Sequence, residues 1–238
     1  GIGLELVKLL NNKEYFVYGI SRREETNYKN DNYKHISIDI SKVNDVALSI
    51  NNVLKENNID LVVNCAGFGI AGAIESTSLK DVKTLFDVNF FGVVNVNKYL
   101  IPHFIINKKG KIINISSVAG IAPIPNHAYY CASKSAINTY TCALANELRQ
   151  FKVKVVAIQP GDIKTEFTSS RKTTLDLDKE YNGKISKSIK TMERDEINGI
   201  LPSVAAKQIY RIIKKKNPKP IYTIGLGYKL LSLLITFL

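Results

Sequence analysis

Tyr130 and Lys134 stand four residues apart in the run Tyr130-Cys131-Ala132-Ser133-Lys134, a spacing that puts both side chains on one face of a helix. A free tyrosine keeps its proton up to a pKa near 10, too high for rapid exchange at neutral pH. An ammonium beside it favours the phenolate and lowers that value, so the pair has the makings of an acid/base. A second such pair, Tyr210 and Lys214, lies on a lysine-rich amphipathic stretch and reads as structural. Only Tyr130 has a strand-end serine upstream, Ser117, and the small neighbours Ala128, Ala132 and Ser133 that let a ligand come close. At the other end of the chain, Gly1-Ile2-Gly3 opens an amphipathic run through Leu4, Leu6, Val7, Leu9 and Leu10. Glycines at a helix N-terminus bind phosphate well, although two alone also suit an ordinary turn.

These side chains need elements to carry them. Short β-branched runs recur at Tyr15 to Ile20, His35 to Asp39, Asp60 to Asn64, Lys111 to Ser116, Val153 to Ile158 and Ile221 to Ile224. Between them lie stretches of helical period, such as Val43, Val46, Ile50, Val53 and Leu54. Strands alternating with helices predict βαβ units on a parallel sheet, because parallel neighbours need a long crossover. No linker or repeat divides the chain, so residues 1–238 are read as a single α/β domain. A long polar stretch follows the strand at Val153 to Ile158; its segment 165–200 is expected to be a lid over the carboxyl ends of the strands.

Composition narrows the partners. The 238 residues are 45% hydrophobic and 23% charged, an ordinary globular balance that excludes a disordered or coiled-coil chain. Thirty-three basic against 21 acidic residues give a net charge of +12, which favours anionic partners without naming one. The lysine clusters, Lys108, Lys109 and Lys111 or Lys214 to Lys216, have no interleaved aromatics to stack bases, so no nucleic-acid partner is expected. Cys65, Cys131 and Cys142 form no CxxC pair and suit a reducing, cytoplasmic setting. His35, His103 and His127 offer no metal-ligand spacing, and no metal site is expected.

Taken together, these motifs resemble the short-chain dehydrogenases/reductases of the classical type, in particular their steroid and retinoid branch. Gly1-Ile2-Gly3 is similar to the end of that family's glycine-rich loop, and Asp39-Ile40 to the pair that contacts adenine. Asn64-Cys65-Ala66-Gly67 is similar to its Asn-Asn-Ala-Gly turn, with Cys65 in place of the second Asn. Asn89, in Val88-Asn89-Phe90-Phe91-Gly92, matches the catalytic Asn, while Ser117, Tyr130 and Lys134 match the catalytic Ser, Tyr and Lys. Pro160-Gly161-Asp162-Ile163-Lys164-Thr165 resembles the loop that holds the nicotinamide carboxamide, through Pro160, Gly161, Ile163 and Thr165. The resemblance implies a Rossmann-type doubly wound sheet and an NAD(P)-dependent oxidoreductase of alcohols and carbonyls. Tyr130 would then exchange the proton, Ser117 would bind the same oxygen, Lys134 would hold the nicotinamide ribose and Asn89 a relay water. A homo-oligomer is also implied, and a non-catalytic dinucleotide-binding or interaction protein is the alternative reading.

Four finer expectations follow. The strand Tyr15 to Ile20 runs into Ser21-Arg22-Arg23 with no acid before Glu24; an arginine there accommodates a 2′-phosphate, which predicts NADP(H) over NAD(H). The resembled family begins with a strand and a Thr-Gly loop ahead of Gly-Ile-Gly, so the chain is expected to be a fragment lacking the sheet's first strand. The apolar segment from Ile221 is broken by Gly225, Gly227 and Lys229, which predicts a strand and then a packing or membrane-surface helix rather than a span. The substrate is expected to be a small alcohol or carbonyl compound, plausibly lipophilic.

Overall fold

The computed structural model describes the backbone of residues 1–236. Helix α1 (Ile2–Asn11) leads to β1 (Val17–Ser21), β2 (Tyr33–Ser37), α2 (Val43–Glu56), β3 (Leu61–Asn64) and the short β4 (Ile70–Ala71). Next come α3 (Leu79–Phe86), a π-helical turn (Asp87–Phe91), α4 (Gly92–Ile106), β5 (Gly110–Ile115), a 3₁₀ turn (Val118–Gly120) and α5 (Ala128–Glu147). The chain closes with β6 (Val153–Pro160), α6 (Phe167–Ser170), β7 (Lys172–Thr173), α7 (Lys184–Ile197), α8 (Pro202–Ile213), β8 (Ile221–Ile224) and α9 (Leu226–Thr236).

The six longer strands sit where the β-branched runs do, with boundaries shifted by local turns. Glu14 takes a left-handed φ of 64° and the Tyr15 N–H bonds back to Leu10, which delays β1 to Val17. Asp39 lies beyond β2 because its carboxylate accepts from the Ser41 N–H and hydroxyl at 2.9 and 2.8 Å, forming the turn into α2. Strands β3, β5, β6 and β8 pair in that order, all parallel, and β1 pairs β2 in parallel as a separate two-stranded sheet.

The two faces of the larger sheet are covered by different helices, and the period of two in each strand explains how. Ile113, Ile115, Val156 and Ile158 point to one side and pack with Leu6 and Leu10 of α1 and with Ala205, Ile209 and Ile212 of α8. Ile112, Val153 and Val155 point to the other, against α2, α4 and α5 through Val46, Ile50, Phe104 and Leu144. The fold is the expected doubly wound α/β sheet.

Between β1 and β3 the described residues place no strand, and both edges line a single cavity that α1, α2 and α4 wall with Leu6, Leu10, Ile50, Val53, Val96 and Leu100. Backbone donors and acceptors on these edges face a slot instead of a partner.

Segment 165–200 holds one short strand, β7, whose two residues pair with Ile70 and Ala71 of β4 and tie the segment to the core. So short a ladder has no periodic signature. At the end of the chain, α9 leaves Leu226, Leu230, Leu233 and Leu234 exposed, and among the described residues no helix is long and apolar enough to cross a membrane.

Candidate active site

Strands β3, β5 and β6 all end at the same rim, the carboxyl edge where open α/β sheets take their ligands. A cavity of about 1130 Å³ runs along that rim, from the slot beside β1, past Gly1 to Gly3 and the Asn64 to Gly67 turn, to Ser117, Tyr130 and Phe167.

Ser117 caps the 3₁₀ turn after β5, its hydroxyl accepting from the Ala119 N–H at 3.1 Å. That turn lies directly on α5: a Cβ on Gly120 would stand 2.8 Å from the Lys134 carbonyl carbon, so only glycine allows the approach. The contact brings Ser117 within hydrogen-bonding reach of the Tyr130 hydroxyl. Lys134, one turn further along α5, is buried and donates from Nζ to the Ile115 carbonyl at 2.9 Å, with Nζ 5.7 Å from the centre of the Tyr130 ring. Burial pushes the Lys134 ammonium down to about 8, the nearby Cys65 thiol pulling the other way.

The expected lowering of the Tyr130 pKa is reversed. Burial raises the phenol well above its ordinary value, the Ser117 hydrogen bond opposes that shift, and the Glu196 carboxylate adds to it. Lys134 is committed to a backbone carbonyl rather than to the hydroxyl. Tyr130 is thus held protonated, as an acid and not as a phenolate.

Asn89 sits in the π-helical turn between α3 and α4, a local widening often found at functional sites. Its amide clamps Phe68 from both sides, accepting from the N–H and donating to the carbonyl, each at 3.0 Å, and also donates to Ser133 at 3.2 Å. A Cβ on Gly67 would stand 3.1 Å from Asn89 Oδ1 and 3.4 Å from Lys134 Nζ, so the bare glycine keeps these two groups together.

The residues assigned to the cofactor line the same cavity: Gly1 to Gly3, Ser21, Arg22, Asp39, Ile40, Ala66 and Gly67, and Pro160 to Ile163 with Thr165. Gly1 meets Thr165 across the cleft, a Cβ there lying 3.8 Å from that of Thr165, so both ends of the expected binding groove face each other. Asn64 also reaches the cavity, but its side-chain amide donates to Asn97 and Asn114 at 2.9 and 2.8 Å, and Asn114 donates to Thr141 at 2.9 Å. Its side chain therefore fixes the strand ends, and the backbone of the turn remains to meet a ligand. Burial works against the Asp39 carboxylate, but the Ser41 donors, with Arg22 and Lys42 nearby, hold it below its ordinary range.

A nicotinamide dinucleotide fits these residues. Among the described residues Lys134 is a buried cation with no acidic partner, with ammonium donors to spare beyond Ile115, which suits ribose hydroxyls. The N-terminus of α1 has no side-chain cap and opens its first amides to the cavity, which suits a pyrophosphate.

Segment 165–200 brings Phe167, an apolar residue of the expected pocket lining, and two charged residues, Arg171 and Glu196, that composition and spacing do not single out. Phe167 lies 5.5 Å from the Tyr130 ring, and Arg171 pairs with Glu196, which also accepts from Thr168 at 2.7 Å. His127 stacks on Tyr130 at 4.5 Å with 12° between the rings. Its place three residues before Tyr130 was the available signal; Arg171 and Glu196 gave none. Among the described residues no group of three His, Cys, Asp or Glu side chains could hold a metal ion.

Comparison with known proteins places this geometry in a class. The short chain dehydrogenase family matches residues 1–176. A 3-ketodihydrosphingosine reductase from Bacteroides thetaiotaomicron is 34% identical over 92% of this chain and 81% of its own length. Among solved structures, a short-chain dehydrogenase from Streptomyces avermitilis shares the fold with a TM-score of 0.87 over 100% of this chain and 90% of its own, at 23% identity. ElxO with NADP bound aligns at 0.79 over 97% of this chain and 95% of its own, at 26% identity. The chain belongs to the short-chain dehydrogenase/reductase family. It is an oxidoreductase of alcohol and carbonyl groups that works with a nicotinamide cofactor.

Proposed function

We propose that the chain is an NADPH-dependent reductase of a lipophilic ketone. The observation that carries this reading is the buried, protonated Tyr130 with Ser117 at its hydroxyl, opening on a pocket lined by Ile124, Phe167 and Met192. A reduced nicotinamide bound in the cleft supplies the hydride that the carbonyl carbon accepts. As the carbon–oxygen double bond opens, Tyr130 gives its proton to the oxygen, while the Ser117 hydroxyl donates a hydrogen bond to that oxygen and stabilises its growing charge. Lys134 orients the ribose, and its positive charge favours the tyrosinate left behind. Asn89 keeps Phe68 and the adjoining Gly67 turn in place beside Lys134.

Arg22 supports NADP(H) over NAD(H): it is exposed, lines the cavity beyond β1, and forms no ion pair among the described residues. The likeness to a 3-ketodihydrosphingosine reductase supports a long-chain ketone as substrate. The exposed leucines of α9 support contact with a lipid surface, and the free thiols of Cys65, Cys131 and Cys142 suit a reducing compartment. The test is NADPH oxidation across a panel of long-chain ketones, aldehydes and steroids. Turnover of long-chain ketones is the expected result; binding of NADPH with no turnover of any carbonyl would instead favour a non-catalytic dinucleotide-binding protein.

A further inference from the structure

The loop that follows β6 is held from two sides by its backbone. On one, the Asp162 carbonyl accepts from the Ile200 N–H and the Lys164 N–H donates to the Ile200 carbonyl, each at 3.1 Å. On the other, the Gly161 N–H donates to the carbonyl of Ile224, the last residue of β8, at 3.2 Å. None of these bonds requires a particular side chain.

The turn from β8 into α9 adds one that does. Gly225 takes a left-handed φ of 99°, and a Cβ there would stand 3.1 Å from the Tyr228 ring, so glycine suits the turn on two counts. Tyr228 is thereby carried back over Gly161, its ring filling the place where a side chain on that residue would begin. Its hydroxyl donates to the Asp162 carboxylate. Burial disfavours the charge on Asp162; the Tyr228 hydrogen bond and the Arg171 charge oppose that penalty, and the Asp195 charge adds to it. The Tyr228 phenol is itself raised above its ordinary value, first by burial and then by the carboxylate it serves, so it remains a donor.

Seating α9 does not account for these contacts. Ile224 joins the apolar cluster built with α1 and α8, whereas among the described residues Tyr228 does not, and Leu226, Leu230, Leu233 and Leu234 of the same helix are exposed. Ring and hydroxyl instead both fall on a loop whose Pro160, Gly161, Asp162 and Ile163 line the cavity.

We propose that Tyr228 is a positioning residue for the nicotinamide: by pinning Gly161 and Asp162 it fixes the loop that meets the carboxamide, without touching the cofactor itself. The inference rests on the assignment of that loop to the nicotinamide, and it extends the cofactor site to α9.

Calorimetry on the full chain compares two ligands, NADPH and 2′-phospho-ADP-ribose, which lacks the nicotinamide ring. A loop that holds the ring makes NADPH the tighter of the two. Tyr228→Phe keeps the ring over Gly161 and removes the hydroxyl. It is expected to weaken NADPH about tenfold, the worth of one hydrogen bond to a charged group, and to leave 2′-phospho-ADP-ribose within about twofold. Asp162→Ala is expected to show the same selective loss, and the double variant to lose no more than either single one. Should Tyr228→Phe fail to fold, Asp162→Ala carries the comparison. A role confined to seating α9 would lower the melting temperature and leave the ratio of the two affinities unchanged. That unchanged ratio, an equal weakening of both ligands, or losses that add in the double variant would overturn the proposal alone. Equal affinity of the unmutated chain for the two ligands, or no binding of NADPH, would remove the loop's assignment and the proposal with it.

Discussion

The two sheets of this molecule carry unequal shares of the site. Strands β5 and β6 have partners on both sides, and Ile113, Val156, Ala157 and Ile158 are completely buried. Strand β1 has a partner on one side only, and every one of its residues is partly exposed. Ser117 follows β5 directly, and α5, with Tyr130 and Lys134, packs against β6. Ser21, Arg22, Asp39 and Ile40, assigned to the far end of the cofactor, lie at or just beyond the carboxyl ends of β1 and β2. The groups proposed for the chemistry are thus set on the half whose packing determines them most fully, while those proposed for the far end of the cofactor sit on the half that borders the slot.

The largest effect that separates the halves is chemical. Tyr130→Phe is expected to lower kcat by about a thousandfold, since only the transferable proton is lost, while leaving NADPH affinity within about twofold. Lys134→Ala is expected to damage both, because in the proposed mechanism the ammonium serves the ribose as well as the tyrosine. Steady-state kinetics beside calorimetric NADPH binding check the split; a Tyr130→Phe enzyme that kept most of its rate would remove the acid from the mechanism.

Next comes the slot itself. A version extended upstream of Gly1 by a β-branched strand and a Thr-Gly loop is expected to pair β1 with β3, raising Tm by roughly 10 °C for several kcal/mol of added burial at this chain length. NADPH affinity is expected to rise with it, as more loop amides meet the pyrophosphate. Equal melting and equal affinity in the two versions would show that the halves are already as coupled as they can be.

Core truncations sharpen the contrast on a smaller scale. Ile158→Ala empties a fully buried position and is expected to cost about 2–5 kcal/mol in urea unfolding. Ile20→Ala, on partly exposed β1, is expected to cost about 1 kcal/mol. On the cofactor side, Arg22→Asp is expected to lower NADPH affinity about 10–100-fold, the worth of a charge-assisted contact, and to favour NADH. Equal use of both cofactors by the unmutated protein would remove the specificity argument.

The same division explains what the sequence made legible. Fully paired strands read as near-continuous β-branched runs, so Lys111 to Ser116 and Val153 to Ile158 stood out, and the Ser117, Tyr130 and Lys134 set could be placed against them. Positions whose role depends on a partner far away in sequence did not stand out. Arg171 and Glu196 are 25 residues apart in a polar segment and meet only because the chain doubles back. The β4 and β7 ladder is two residues long and has no period to detect. The asparagines at 97 and 114 look like ordinary helix and strand residues until Asn64 lies between them. The tyrosine's shift was misjudged for a related reason: spacing places Lys134 beside Tyr130, but it does not show that the Ile115 carbonyl takes the ammonium.

The smallest predicted effect follows from that lysine. Lys134 titrates near 8 in the fold, against an ordinary 10.5, because burial disfavours its charge. Below about pH 8 both the folded and unfolded chains carry the proton, so the folded state bears the full burial penalty. As pH rises from about 8 to 10.5, the folded lysine loses its proton while the unfolded one keeps it. The unfolded state then binds more protons, and stability rises with pH across that window. Lys111, lowered by burial with Lys154 and Lys214 nearby, acts in the same direction, whereas the raised Tyr130 opposes the trend once free tyrosine ionises. The clean measurement is therefore a difference: urea midpoints of the unmutated chain and of Lys134→Met, at neutral pH and at about pH 10. Lys134→Met is expected to be the more stable variant at neutral pH, with its advantage shrinking as the solution becomes alkaline. An advantage that stayed constant across the window would mean that Lys134 keeps its proton, and that the half of the molecule built around it tolerates a buried cation without penalty.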